Sequence, residues 1–351
     1  MEHQELQTIL LGKQVAQEQN VRLALATVVR VRGNAYRREG AKMLIREDGD
    51  YICMLSGGCL EAEVVEVAKL VLANKQTQVV NYDLSEDIMW GLGIGCGGNI
   101  DILIEPLEDN PMLERWFNWL EHGVLGVAAT NLTASSFERV LISPDGKMFG
   151  DSRLLAQIQR KAQSIMQALY PRAQTYQIED SEVFFDTSSP APELLLFGAG
   201  HDAIPLAAQA VALGWRVKVV DARAAFLTPV RFPKCELLLL HSEEFTKIQT
   251  TSRSFAIIMN HHLERDTEAL EWIVQQDLAY VGVLGPKSRF EKMRRSQMGN
   301  LAYIRNPIGL DIGAESPDEV ALAIMAELIA FRRGFKGGML NGRAGRIHEP
   351  T

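Results

Sequence analysis

Residues 193–223 read ELLLFGAGHDAIPLAAQAVALGWRVKVVDAR, and this stretch decides the fold of the C-terminal half. A short apolar run ends at Phe197. Gly198-Ala199-Gly200-His201-Asp202-Ala203 then fits G-x-G-x-x-G/A and opens a segment with helical periodicity. Strand, glycine turn and helix, in that order, are the context in which this pattern signals a dinucleotide-type unit. Gly198 permits the tight turn, Gly200 lets the backbone approach a pyrophosphate, and small Ala203 lets helix and strand pack closely. The helix start offers free N–H groups to phosphates. Asp221 ends the next apolar run, where a carboxylate can accept a ribose hydroxyl. Arg223, two residues on, keeps a phosphorylated ribose open as well.

Outward from that stretch, apolar runs at 194–197, 216–220, 236–240, 255–259 and 280–284 alternate with helical patterns near 203–213, 243–249, 266–275, 287–297 and 317–331. Such alternation predicts a parallel sheet covered on both faces. The expected fold class is α/β: an N-terminal α/β domain followed by a Rossmann-like doubly wound parallel-sheet domain. TSSPAPE (187–193) marks the boundary. The domains are then 1–186 and 194–335, joined by the linker 187–193 and followed by a glycine-rich basic tail, 336–351. In the first half, helices are expected at 4–19, 60–74, 112–121 and 151–168. Strands are expected at 21–31, 41–47, 51–55, 78–84, 99–107, 124–130 and 138–142. No internal repeat is evident.

Length and composition agree with two ordinary globular domains: 351 residues, 47% hydrophobic and 23% charged. The formal charge of −8 argues against nucleic-acid or anionic-membrane binding. No apolar run is long enough for a membrane span. The N-terminal MEHQELQTILLGKQ lacks a basic region before an apolar stretch, so no secretory signal is expected. Four cysteines without a C-x-x-C pair make no disulfide framework. A reducing, cytoplasmic setting follows as the expectation.

Two of those cysteines lie in glycine-rich loops. Cys59 follows Ser56-Gly57-Gly58 at a helix start, where the helix dipole favours a thiolate. Cys96 stands among Gly91, Gly93, Gly95, Gly97 and Gly98, a run that can form turns and anion-binding nests. Two soft thiol donors in loops of this kind point to a ligand that combines a soft metal with a phosphate. Cys53 and Cys235 read as buried strand residues. Arg37 and Arg38 are either phosphate ligands or a solvated turn. Glu61 and Glu63 read as first-turn acids that complement the dipole. In the C-terminal half, His261 and His262 follow a strand, at the end where such sheets bind ligands, and His261 is the better site candidate. Lys287 and Arg289 read as a solvated helix start.

SGGCLEAEV (56–64), CGGNIDILIEP (96–106), the GAGH turn with Asp221 ending the next strand, HHLERD (261–266), VGVLGPKSR (281–289) and IGLDIGAESPDEVALAIMAELIA (308–330) together resemble the XdhC/CoxI family. Its members are accessory proteins of molybdenum hydroxylases such as xanthine dehydrogenase. The family pattern has Thr and Ser where this chain has Asn260 and Pro286. The resemblance implies a chaperone, without turnover of its own, that binds molybdenum cofactor (molybdopterin). It would support sulfuration of the cofactor with a cysteine desulfurase and deliver it to the hydroxylase. By position the resemblance carries cofactor contacts onto Gly57, Gly58, Cys59, Cys96, Gly97, Gly98, Gly198, Gly200 and Asp221; Ser56, His201 and His261 join them as candidate contacts from their places in these loops, and Cys59 and Cys96 are the candidate molybdenum contacts. A homodimer is a further expectation. Four scattered cysteines cannot supply the two four-cysteine iron–sulfur clusters of the hydroxylase itself. Two alternatives stand beside this reading. One is an NAD(P)-dependent oxidoreductase with His201 or His261 as proton donor. The other is a purely structural adaptor.

Overall fold

A computed structural model describes residues 3–33, 35–83, 98–133 and 137–342. The chain divides into two units, Met1–Pro190 and Ala191–Thr351. The break lies inside the expected linker, but strands extend into both ends of that linker, through Ser188 on one side and from Glu193 on the other.

In the first unit the order is α1 (His3–Glu18), β1 (Leu23–Arg32), β2 (Lys42–Arg46), β3 (Tyr51–Ile52), α2 (Glu61–Asn74), β4 (Gln78–Asp83) and β5 (Asn99–Pro106). It continues with α3 (Pro111–Glu121), β6 (Gly126–Asn131), β7 (Arg139–Ile142), β8 (Met148–Phe149), α4 (Leu155–Gln167), β9 (Gln174–Ile178) and β10 (Ser181–Ser188). The strands form two antiparallel sheets, ordered β3-β2-β1-β5-β4 and β8-β7-β6-β10-β9. Element order and strand order are the same in both. The unit is therefore a duplicated αβββαββ module, which corrects the expectation of no repeat. Leu44-Ile45 and Asp48-Gly49 return as Leu141-Ile142 and Asp145-Gly146. The buried stripe Val64, Ala68, Val71 and Leu72 of α2 returns as Ile158, Ala162, Ile165 and Met166 of α4.

Strand alternation gives each sheet two apolar faces. Ala24, Ala26 and Val28 pack on α2, and Val127 and Ala129 pack on α4. The opposite faces share one core, in which Leu25, Leu44, Ala128 and Leu141 meet Ile9 of α1 and Trp116 of α3. Register makes Lys42 (opposite Thr27) the counterpart of Arg139 (opposite Thr130). Likewise Glu105, opposite Leu25, corresponds to Asp186, opposite Ala128.

The two copies differ in their loops. The β3–α2 connection takes residues 53–60 in the first copy and only 150–154 in the second. The β4–β5 connection takes residues 84–98, whereas β9 and β10 are joined by Glu179 and Asp180 alone. Both cysteine–glycine loops are thus elongations carried by one copy.

The second unit holds β11 (Glu193–Phe197), α5 (Ala203–Ala212), β12 (Arg216–Asp221), β13 (Glu236–Leu239), β14 (Ser254–Ile258), α6 (Leu263–Ile273), β15 (Tyr280–Val283), α7 (Lys287–Met293) and α8 (Pro317–Arg333). The expected helix at 243–249 is a 3-10 helix, Ser242–Lys247. All strands are parallel, in the order β13-β12-β11-β14-β15. α5 packs with α8, and α6 packs with α7 and the 3-10 helix against the core of Leu195, Phe197 and Ile258. This is the expected doubly wound sheet. Its strand order reverses between β11 and β14, so the loops after these strands flank the crevice where such sheets bind ligands.

Candidate cofactor site

In the first unit, the loop before α2 is built around a buried carboxylate. Glu61 is 2% exposed. It accepts hydrogen bonds from the N–H groups of Leu55 (3.0 Å), Ser56 (2.8 Å) and Leu60 (3.2 Å), and from the Ser56 hydroxyl (2.6 Å). Burial pushes this carboxyl up, but the bonds from Ser56, from Leu55 and within Glu61 itself outweigh burial and hold it below its ordinary value. Ser56 Oγ in turn accepts from the N–H groups of Gly58, Cys59 and Leu60. Cys59 Sγ lies 3.4 Å from the same oxygen. With its own proton on Glu61, that oxygen can only accept from the thiol.

This geometry changes the reading of the loop. The N–H groups of Gly58, Cys59 and Leu60 turn inward to Ser56, so they are not on offer to a phosphate. Glu61 already answers the positive end of the helix. It is the organiser of the loop and not simply a dipole complement. The loop presents instead a half-buried thiol beside two glycines at which a Cβ would meet nothing within 4 Å among the described residues. Gly58 has φ +105°, a conformation suited to glycine.

Tyr82, one residue before the end of β4, belongs to the same α2-facing core as Leu60 and Val64. Its hydroxyl is buried and has no hydrogen-bond partner among the described residues. Burial and the nearby Glu63 push this phenol up to about 12. An orphaned buried hydroxyl is an exception that asks for an explanation, and residues 84–97 of the adjoining β4–β5 loop lie outside the described residues. Cys96 and Gly97 lie outside the described residues, while Gly98 is buried just before β5.

Arg37 pairs with Glu5 of α1 (2.5 Å) and so anchors a helix. Arg38 Nε is buried without a partner among the described residues. Cys53 follows β3 in the left-handed region (φ 65°), and burial raises its thiol pKa. Cys235 precedes β13, half-buried, and burial raises its thiol pKa too. Among the described residues, no three His, Cys, Asp or Glu side chains gather as a metal site.

In the second unit, Gly198 (φ +120°) lies so close to the backbone of Met259 and Asn260 that a Cβ would stand 2.7 Å from Met259. Glycine there holds the β11 and β14 loops together. Asp221 ends β12 as expected, but its side chain is wholly buried. Oδ2 accepts from the Ala199 N–H (2.8 Å) and from Arg223 (2.6 Å), and Oδ1 accepts from the N–H and Nε of Arg223 (both 2.9 Å). Burial pushes Asp221 up, and these bonds outweigh it and hold it below the ordinary range. His261, in the left-handed region (φ 57°), places Nε2 2.5 Å from Asp202 Oδ2. His201 is exposed. Arg289 is not a solvated helix start: it pairs with the buried Asp266 at 2.5 Å.

The sequence matches two family models, the XdhC and CoxI family over residues 16–83 and the XdhC Rossmann domain over residues 194–328. A protein of Bacillus subtilis, named as a probable xanthine dehydrogenase subunit, is 31% identical over 317 residues, 88% of this chain and 93% of that protein. The chain belongs to the XdhC and CoxI family. The family segment at 16–83 takes in the whole Ser56–Glu61 loop and Tyr82, and the Rossmann segment takes in the crevice from Gly198 to His261. A molybdenum cofactor insertion chaperone of Escherichia coli, PaoD, is 24% identical over 316 residues, 88% of this chain and 83% of that protein. A crystal structure from Bacillus halodurans, named as a xanthine dehydrogenase, superposes with a TM-score of 0.79 at 30% identity, covering 96% of this chain and 97% of that one.

Sequence reading missed Tyr82, Glu61 as organiser, and Arg231, whose guanidinium reaches the Ala199 carbonyl at 3.0 Å. Only Glu61 left a usable signal. It stands three, four and seven residues before Val64, Val65 and Ala68, on the apolar stripe of α2.

Proposed function

We propose that this chain is an accessory factor that binds molybdenum cofactor as cargo and passes it to a xanthine dehydrogenase-type hydroxylase. The observation that carries the reading is the cysteine–glycine loop of an XdhC and CoxI family member, elongated in one copy of a duplicated module. The half-buried Cys59 thiol lies 3.4 Å from Ser56 Oγ and follows Gly57 and Gly58, at which a Cβ would meet no described residue within 4 Å. A dithiolene-bound metal brings its own sulfur ligands, which suits a site whose described residues offer the single soft donor Cys59 and no cluster of three metal-ligating side chains. Cys59 contacts the cargo from one side and the Tyr82 hydroxyl supplies a hydrogen bond. Cys96, in the other elongated loop, is proposed as the second thiol contact. The same reading includes sulfuration of the cargo in cooperation with a cysteine desulfurase, in a reducing compartment that keeps these thiols free.

The test is to purify the protein from cells that make molybdenum cofactor and to measure molybdenum and released pterin per chain. Near-stoichiometric loading is expected for the wild type. Loading at least tenfold lower is expected for Cys59→Ala and Cys96→Ala. Folded variants that load like wild type would remove the thiols from the model. A second reading, an NAD(P)-dependent oxidoreductase, is favoured by one observation, the His261–Asp202 contact at the mouth of the crevice.

A further inference from the structure

We infer that the crevice of the second unit takes a dinucleotide bearing a 2′-phosphate and discriminates against one with an unmodified ribose diol. The G-x-G turn and the start of α5 form the pyrophosphate end. α5 has no side-chain cap, because the carboxylate of its N-cap residue, Asp202, is turned towards His261. Its first N–H groups therefore lack the side-chain acceptor that a cap would supply.

The ribose end is where the structure departs from a plain diol reader. In such sheets the acid that closes the second strand receives the ribose hydroxyls. Here that acid is Asp221, fully buried, with four hydrogen bonds from the protein on its two oxygens. A carboxylate has about four lone-pair positions, so none is left for a diol.

What surrounds Asp221 is cationic. Arg223 lies against it, one-third exposed, and Arg265 of α6 stands 3.9 Å away with 36% of its side chain exposed. Arg231 bonds only carbonyl oxygens, those of Phe226, Ala199 and Gly200, and makes no ion pair among the described residues. The guanidinium groups of Arg223 (4.2 Å) and Arg231 (5.2 Å) both lie against the Phe226 ring, which holds both near the turn. The other nearby acids are committed, Asp202 to His261 and Asp266 to Arg289. Arg223 and Arg265 thus share one neutralising carboxylate, and Arg231, against the same Phe226 ring as Arg223, adds a third guanidinium nearby. That surplus suits a phosphate monoester, whose oxygens guanidinium forks recognise.

The inference does not depend on the cargo reading, because dinucleotide binding and molybdenum loading are separate measurements. Calorimetric titration of the full chain with NADP+ and with NAD+ tests it. NADP+ is expected to bind at least tenfold more tightly than NAD+, and more weakly as salt is raised. Arg265→Glu, at a partly exposed position, is expected to weaken NADP+ at least tenfold and to narrow the preference for NADP+ over NAD+. Equal affinity for the two dinucleotides, no binding of either at millimolar concentration, or an Arg265→Glu variant that binds NADP+ like wild type would each overturn the inference.

Discussion

Lys42 Nζ and Asp186 Oδ2 meet 2.6 Å apart inside the first unit, one residue from each copy of the duplicated module. Their counterparts, Arg139 and Glu105, meet at 2.8 Å. The cation of each copy is thus neutralised by the anion of the other, as across a two-fold dimer interface. Both pairs are buried. Asp186 also accepts from Trp116 Nε1 (3.0 Å), which ties α3 into the contact.

A buried ion pair adds little net stability, but removing one partner strands the other. Lys42→Met is expected to lower the unfolding free energy by about 3–5 kcal/mol. Lys42→Met combined with Asp186→Leu should recover much of that loss, short of the cost of the unpaired Trp116 N–H. Urea denaturation of the two variants measures both. A single variant within about 1 kcal/mol of wild type would show that this pair does not hold the copies in register.

Glu61 gives the cysteine loop a pH dependence of definite sign. Its carboxyl is held below the ordinary value of 4.5, so its contribution is fully present above that pH. The contribution fades as pH falls through the lower folded-state value. Glu61→Gln should cost roughly 1–3 kcal/mol at neutral pH, because some loop N–H groups lose a charged acceptor. The gap between wild type and variant should then narrow steadily below pH 4.5. A gap that stays constant from neutral pH into the acid range would rule out the carboxylate as the source.

Tyr82→Phe removes a buried hydroxyl that has no partner among the described residues. The free protein should gain up to about 1 kcal/mol, since the hydroxyl's desolvation goes uncompensated. Retention of the proposed cargo should fall at the same time. Chemical denaturation and molybdenum content per chain read the two effects separately. A destabilised variant with unchanged loading would make Tyr82 a packing residue only.

The second unit was legible because its signals are local. The G-x-G turn, the apolar strands and the helices between them each announce themselves within a few residues. The duplication was not legible. Its two copies keep only short matching runs, Leu-Ile and Asp-Gly, and the longer β3–α2 loop of the first copy shifts the spacing of everything after it. The β9–β10 hairpin escaped notice because QTYQIEDSEVFFD mixes polar and apolar residues around the Glu179-Asp180 turn. Cys59 could be read from its glycines, and Glu61 could have been read from its place on a buried helical stripe. Tyr82 could not. That a tyrosine hydroxyl lacks a partner is a property of packing, with no trace in the neighbouring residues. The fate of Asp221 is similar: the sequence locates the acid, and only the fold shows that the Ala199 N–H and Arg223 have claimed it.

The unequal loops carry one more consequence. Lengthening a surface connection costs only a slowly growing loop-closure entropy. In the first copy the scaffold carries long connections between β3 and α2 and between β4 and β5 while the shared core stays intact. The short turns between β8 and α4 and between β9 and β10 occupy the same addresses in its twin. The first copy shows that the module tolerates length at these addresses: in the second, the exposed Glu179-Asp180 turn can be lengthened without replacing a core residue, whereas the β8–α4 turn includes the buried Leu154.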